Sequence, residues 1–327
     1  MRQEYSLSTL QEILNQYLEL GKIKKHFLFT SGFENSNYYV ETSQGKYVIK
    51  IFEGIGMSKE NILFEIEVMA YCQEHKLKTP HLLTTKKGAY FTTIKSNEEK
   101  IVTVMGYIDG ENMLMKLLPD SVIATVGEEA GKMDLKLQHF QDGSKTRQGY
   151  EWDMKNFLKV EKALAVLPAT FDKKILQNIF DNFREISPKF KALAPGLIHN
   201  DLAAHNLLVQ GEELKGIIDF SDMAFSPYIQ NIAIFLAQSI FSYSWKPHQT
   251  TIFLREYQKH RPLSTEELEI LYDLVLARYA TIIVEFNRWN VDYGEDKQRT
   301  EYIKDYQAFL QKFLKISREE FARLLEV

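Results

Sequence analysis

Cysteine is almost missing from this chain: Cys72 is the only one in 327 residues. A disulfide within the chain is therefore impossible, and a cysteine-rich zinc site is excluded. Clustered positive charge is missing too. The formal net charge is -4 and no segment is strongly basic, which argues against nucleic acid as the main partner, because a phosphate backbone is held by grouped Lys and Arg. A single nucleotide in a pocket needs no such surface. No uninterrupted apolar run approaches the ~20 residues of a membrane-spanning helix, so no membrane partner is expected. The opening MRQEYSLSTLQEIL lacks the basic and apolar regions of a secretory signal, and the cytoplasm is the expected compartment. Internal repeats, low-complexity tracts, a long linker and the GxxxxGK[ST] of a P-loop are absent as well.

The composition that remains, 45% hydrophobic and 26% charged, is that of a folded globular protein. The length suffices for two lobes, each with its own core. Ser8 and Gln11 have the spacing of a helix-starting capping box, and Leu10, Ile13, Leu14, Tyr17 and Leu18 follow at helical period. Tyr38–Thr42 and Lys46–Phe52 are rich in β-branched and aromatic residues, with Ser43-Gln44-Gly45 between them as a hairpin turn. A helix is predicted from about Ser58 to His75, then strands over Ala89–Ile94 and Lys100–Met105. From Asp120 onward helical periodicity dominates. A small antiparallel sheet followed by a mainly helical second half makes an α+β protein.

Two stretches carry the chemistry. Leu197-Ile-His-Asn-Asp-Leu-Ala-Ala-His-Asn-Leu-Leu-Val209 places Asp201 five positions before Asn206 on a predicted loop. Lys215-Gly-Ile-Ile-Asp-Phe-Ser-Asp222 then places Asp219 at the end of an apolar strand. One carboxylate can accept a hydroxyl proton while an amide oxygen and a second carboxylate hold Mg²⁺. Taken singly, each residue could be an ordinary turn or cap. In the first half, Lys50 shares a strand face with Val48 and Phe52. It is either an edge lysine reaching solvent or a buried ammonium that needs a partner. Glu65 projects between Ile62 and Met69 on the apolar side of its helix, whereas Glu67 falls on the opposite face. Glu65 is therefore preferred as that partner.

These motifs resemble those of the aminoglycoside phosphotransferase and choline kinase superfamily. GFENSNYYV is similar to the matching loop of bacterial homoserine kinases, and Met133–Phe140, Trp152–Asn156 and Asp219–Met223 resemble segments of hydroxylysine kinase. The resemblance implies a two-lobed, protein-kinase-like fold, with residues 1–104 as the nucleotide-binding lobe, 105–110 as the hinge and 111–327 as the catalytic and substrate-binding lobe. It implies Asp201 as the catalytic base, Asn206 and Asp219 as ligands of Mg²⁺, and ATP or GTP as the phosphoryl donor. Ser31, Gly32 and Asn35 would lie over the nucleotide phosphates, and Lys50, paired with Glu65, would contact them. Met105 and Tyr107, in VMGYIDG, would meet a purine through their backbone. His199 would hydrogen-bond within the loop, Asp222 would accept backbone N–H groups, and His205 would brace the loop rather than bind metal. Where the family commonly has Gly, this chain has Asn200 and Ser221, which adds side chains near the site.

For the acceptor, Arg278 and Glu285 lie seven apart and share a helix face, with Arg288 beyond them. They either line the acceptor site or form an internal ion pair. Trp152 either cradles the substrate or is core. The implied activity is transfer of a γ-phosphate to the hydroxyl of an amine-bearing metabolite such as hydroxylysine, homoserine or choline, by a monomer or homodimer. The alternatives are an aminoglycoside-modifying enzyme and a silent nucleotide-binding module.

Overall fold

Ser6 accepts a hydrogen bond from the Thr9 N–H (3.2 Å) and starts the first helix, α1 (Leu7–Leu14). The spacing of Ser8 and Gln11 suggests a later start. Because α1 stops at Leu14, Tyr17 is buried beyond its end while Leu18 is 61% exposed. The structure, a computed structural model, describes residues 3–30, 34–95, 98–168 and 171–326. The chain divides into two units: Met1–Gly110 with Lys215–Ser221, and Glu111–Leu214 with Asp222–Val327.

In the first unit, α1 is followed by β1 (Ile23–Leu28), β2 (Asn35–Thr42), β3 (Lys46–Phe52), α2 (Lys59–Glu74), β4 (Thr92–Lys95) and β5 (Glu99–Gly106). The strands form one antiparallel sheet in the order β1-β2-β3-β5-β4. The two-residue period decides its faces. Tyr38, Val40, Ile49, Ile51, Val102 and Val104 pack with Leu10, Ile13, Leu14 and Tyr17, so α1 covers one face. Lys50 alternates with Ile49 and Ile51 and therefore looks the other way, toward α2. A capping box of Ser58 and Asn61 starts α2. β1 is an edge strand whose sequence, IKKHFL, leaves most side chains exposed. Such an edge carries no alternating apolar signal, and its lysines keep it from pairing further.

The second unit opens with β6 (Glu111–Asn112) and α3 (Asp120–Leu137), then α4 (Phe157–Val160) and α5 (Lys173–Ala192). β7 (Pro195–Ile198) precedes the Asp201 loop and β8 (Leu207–Gln210) follows it. β9 (Glu213–Ile217) carries the chain back into the first unit. There the Ile217 N–H donates to the Lys78 carbonyl (2.8 Å), which fixes the segment that bears Asp219. β10 (Ala224–Pro227) pairs antiparallel with β7, and β6 with β8. The remainder is helical: α6 (Ile229–Phe235), a π-helical segment over Leu236–Ser244, α7 (Gln249–Gln258), α8 (Thr265–Tyr293), α9 (Lys297–Phe313) and α10 (Arg318–Leu324). α8 is the spine, buried at nearly every position from Ile270 to Glu285. No helix among the described residues is long and apolar enough to cross a membrane.

Two glycines one helical turn apart let α3 approach α7 backbone to backbone. A Cβ on Gly127 would stand 2.4 Å from the Phe253 carbonyl oxygen, and one on Gly131 would stand 2.5 Å from that of Tyr257. Neither oxygen belongs to a flexible side chain, so the helices themselves would have to part. Gly127→Ala should therefore destabilise the protein by about 1–3 kcal/mol despite the better helix propensity of Ala. A thermal melt should show the midpoint falling by several degrees. An unchanged or higher midpoint would mean that α7 yields freely.

Candidate active site

Lys50 and Glu65 are both buried in the first unit, with Lys50 Nζ 2.6 Å from Glu65 Oε1. Lys50 also lies 3.8 Å from Asp219 Oδ1 and 4.8 Å from the centre of the Phe52 ring. Burial works against its charge, but the Glu65 and Asp219 carboxylates outweigh it and raise the Lys50 pKa above the usual lysine value. The group is a fixed ammonium, suited to meeting a phosphate. Asp219 sits at φ 67°, in the left-handed region that Asp tolerates better than most residues. The Ser221 N–H (3.3 Å) and the Ser221 hydroxyl both donate to its Oδ1. Its side chain remains 51% exposed, and its hard carboxylate oxygens suit a divalent cation.

In the second unit, the loop between β7 and β8 presents Asp201. Its two oxygens are bound separately. Oδ1 accepts from Arg278 Nη2 (3.0 Å), while Oδ2 accepts from His205 Nε2 (2.8 Å) and Asn206 Nδ2 (2.8 Å). Burial alone would raise the Asp201 pKa, but His205, Arg278 and His199 reverse the sign and hold it far below the usual carboxylate range. Asn206 Nδ2 also donates to the Asp201 carbonyl (2.9 Å). With its nitrogen turned to Asp201, the Asn206 amide has its oxygen left for a cation. The Asp201 N–H donates to His199 Nδ1 (3.3 Å), and His199 is fully buried.

The phosphotransferase enzyme family, APH, matches residues 28–268. The chain belongs to this family. A homoserine kinase of Methylobacillus flagellatus is 25% identical over 266 residues, spanning 80% of this chain and 78% of that one. The hydroxylysine kinase of Mus musculus is 23% identical over 280 residues, spanning 77% and 74%. Among solved structures, the amicoumacin kinase hAmiN in complex with AMP-PNP, Ca²⁺ and Ami superposes with a TM-score of 0.73 at 17% identity, covering 96% of this chain and 98% of that one. A microcompartment-associated aminopropanol kinase gives 0.66 at 15%, covering 98% and 100%. The fold is the two-lobed, protein-kinase-like α+β fold, and the chain is a small-molecule kinase that phosphorylates a hydroxyl group.

The remaining expected site residues of this phosphotransferase fall as follows. Ser31 and Gly32 lie outside the described residues. Asn35 is buried at the start of β2, opposite Phe52. Met105 lies one residue before the end of β5, opposite Val48. The N–H groups of Gly106 and Tyr107 already donate to the carbonyls of His81 and Lys46 (2.9 and 3.0 Å), so those two donors are not available to a purine. Asp222 accepts from the Tyr150 hydroxyl (2.6 Å) and Arg147 Nη1 (3.3 Å). Arg278 and Glu285 do not pair. Arg278 binds Asp201 and Gln238 (Nε to Oε1, 2.6 Å) and lies 4.9 Å from the centre of the Trp152 ring. Glu285 accepts from Arg288 Nε (2.8 Å). Arg278 and His205 were not expected as direct partners of Asp201. For His205 a signal existed, since it lies four residues after Asp201. For Arg278, 77 residues away, none did.

The Lys50–Glu65 pair carries a stability prediction. Glu65→Leu leaves a buried ammonium without its nearest carboxylate and should cost about 3–5 kcal/mol. Glu67→Leu, on an exposed position of the same helix, should stay within about 0.5 kcal/mol. Urea denaturation of the two variants separates them, and equal losses would contradict the pairing.

Proposed function

We propose that this phosphotransferase moves the γ-phosphate of a Mg²⁺-bound ATP or GTP to the hydroxyl of an amine-bearing metabolite of the hydroxylysine, homoserine or choline type. The observation that carries the proposal is the state of Asp201: a partly buried carboxylate kept ionised and oriented by Arg278, His205 and Asn206. A carboxylate of such low basicity does not strip an alcohol of its proton beforehand. It orients the hydroxyl by accepting its hydrogen bond, and it takes the proton as the new O–P bond forms and the bridging P–O bond of the nucleotide breaks. The loose transition state of phosphoryl transfer asks for that kind of positioning.

Lys50, held by Glu65, meets the phosphates, assisted by the backbone around Ser31, Gly32 and Asn35. Asp219 and the Asn206 oxygen hold the metal. When bound, Mg²⁺ neutralises charge on the phosphates. Met105 and Tyr107 lie beside the purine. His199 and Asp222 keep the loops in place.

Charge on the acceptor side favours a cation. Three carboxylates crowd one cation: Glu285 (2.5 Å), Glu151 (3.2 Å) and Asp292 (3.7 Å) all face Arg288. The surplus is negative, and Trp152 with Phe286 and Trp289 provides aromatic faces nearby, at centroid distances of 5.7 and 5.9 Å. An ammonium suits both features. The relatives named homoserine kinase and hydroxylysine kinase act on amine-bearing alcohols, which supports the same class here.

Asp201→Ala should lower kcat by about 10²–10⁴-fold with little change in nucleotide affinity. Asp219→Ala should lower both kcat and affinity for the metal-nucleotide. Steady-state kinetics and nucleotide titration check these outcomes, and full turnover in either variant would overturn the assigned role. A panel of amino alcohols, hydroxy amino acids and aminoglycosides, run with ATP and with GTP, tests the acceptor. Turnover confined to acceptors without an amine would sink the substrate class.

A further inference from the structure

A second buried carboxylate lies away from the phosphoryl-transfer residues. Asp134, in α3, is fully buried and receives only neutral donors: the Tyr257 hydroxyl on Oδ2 (2.6 Å) and Asn231 Nδ2 on Oδ1 (3.2 Å). Among the described residues no Lys or Arg forms an ion pair with it. Arg261 and Glu267 act on it through space, but they are bound to each other (2.7 Å). Tyr228 is the other titratable group whose field it shares.

The contact with Asn231 has a directional consequence. Asn231 is buried in α6, and its other end, Oδ1, accepts the Asn200 N–H (3.2 Å). Asn200 immediately precedes Asp201 and sits at φ 63°, in the left-handed region that Asn adopts at modest cost. A primary amide can be reversed end for end. An ionised carboxylate only accepts, so it draws Nδ2 toward itself and turns Oδ1 toward Asn200. A protonated carboxyl can also donate, and then it permits the reverse.

We propose that Asp134 is a positioning residue that sets the amide of Asn231 and, through it, the backbone on which Asp201 stands. This rests on the catalytic role of Asp201 given above. Burial pushes the Asp134 carboxyl up to about 7, against the smaller opposing effects of Tyr257, Arg261 and Asn231. Its hold on Asn231 therefore weakens as pH falls through that value. The sign for stability is the reverse. The unfolded chain releases this proton near 3.8 and the folded chain near 7, so the stability present below the lower value is lost as pH rises through the upper one. The ionised form orders the loop and destabilises the fold.

The test compares wild type with Asp134→Asn, Asp134→Leu, Asn231→Ala and the Asp134→Leu/Asn231→Ala double variant. The measurements are kcat, nucleotide KM and hydrogen exchange of the Asn200 amide. Asp134→Leu should lower kcat by about ten-fold or more while nucleotide KM stays within about two-fold, and the Asn200 amide should exchange faster by a similar factor. Adding Asn231→Ala should have no further effect on kcat, because both act through one bond. Asp134→Asn, neutral at every pH, should stay at the acid-side level of the wild type and lose its pH response near neutrality. It should also be more stable than wild type at alkaline pH. Wild-type kcat and Asn200 protection in Asp134→Leu would overturn the proposal, and so would losses that multiply in the double variant. Should Asp134→Leu not fold, a pH profile of Asp134→Asn identical to that of wild type overturns it alone. Faster Asn200 exchange in Asp134→Leu, together with full turnover in Asp201→Ala, would instead refute the role of Asp201 and leave the positioning intact.

Discussion

A carboxylate taken out of water among helices must find positive charge or keep its proton, and the second unit depends on which of the two happens where. Asp201, with 15% of its side chain exposed, and the fully buried Asp134 are the same residue type, yet their pKa values move in opposite directions. The difference is in the partners. Asp201 meets a guanidinium and an imidazole as well as an amide, so the charged form is favoured in spite of desolvation. Asp134 meets a phenol and an amide, whose dipoles offset only part of the cost of its charge. His205 contributes most to holding Asp201 ionised, and Arg278 adds to it. Gln238 holds the Arg278 guanidinium from behind.

Two of the six non-glycine residues with positive φ among the described residues belong to the candidate site. Asn200 and Asp219 both lie in the left-handed region, at φ 63° and 67°. Each belongs to a residue type that visits this region at modest cost, and each spends its side chain on stabilising it. Asn200 Nδ2 donates to the Asp222 carbonyl (2.8 Å), while its Oδ1 accepts from Gln230 Nε2 (2.5 Å). Asp219 accepts from both donors of Ser221. The family pattern commonly has glycine at positions 200 and 221. In this chain Asn200 takes up the turn that glycine would allow freely, and its amide adds two bonds that glycine could not make.

What the sequence made legible was local. The strands β2, β3 and β5 announced themselves by alternation and composition, and α2 by its period. Lys50 and Glu65 could be matched because one sits on a strand face and the other on a helix stripe, and each needs a partner once buried. The chemistry-bearing residues of the Asp201 loop lie within six positions, so spacing alone brought them together. The failures share a cause as well. β1 went unseen because an edge strand needs no apolar alternation. The later helix start was inferred because Ser8 and Gln11 have capping-box spacing, whereas it is Ser6 that accepts the Thr9 N–H. The partners of Asp201 and Asp134 come from positions 278, 231 and 257. No periodicity in α6, α7 or α8 marks which polar residue on a buried face will meet which loop.

Those buried polar residues orient the Asp201 loop by hydrogen bonds, beyond the packing of Leu202, Ala203 and Ala204. Apolar contacts are nearly indifferent to rotation, whereas an amide accepts at one end and donates at the other. Gln230 and Asn231 are consecutive in α6, and both bind Asn200, one at its side chain and the other at its backbone. Each is itself oriented from behind. Asn231 is oriented by Asp134. The Gln230 oxygen accepts from Met154 N (3.2 Å) and the Ser226 hydroxyl (2.8 Å), and Ser226 Oγ lies 2.9 Å from Asp153 Oδ1. Asp134 in α3 thus stands behind one of the two amides that converge on Asn200, and the Met154 N–H stands behind the other. Every link is buried, so any broken link would leave a desolvated donor or acceptor, and each such loss costs about 1–3 kcal/mol. A loop held in this way has one low-energy conformation, which is the requirement for a carboxylate that acts by orientation and not by basicity.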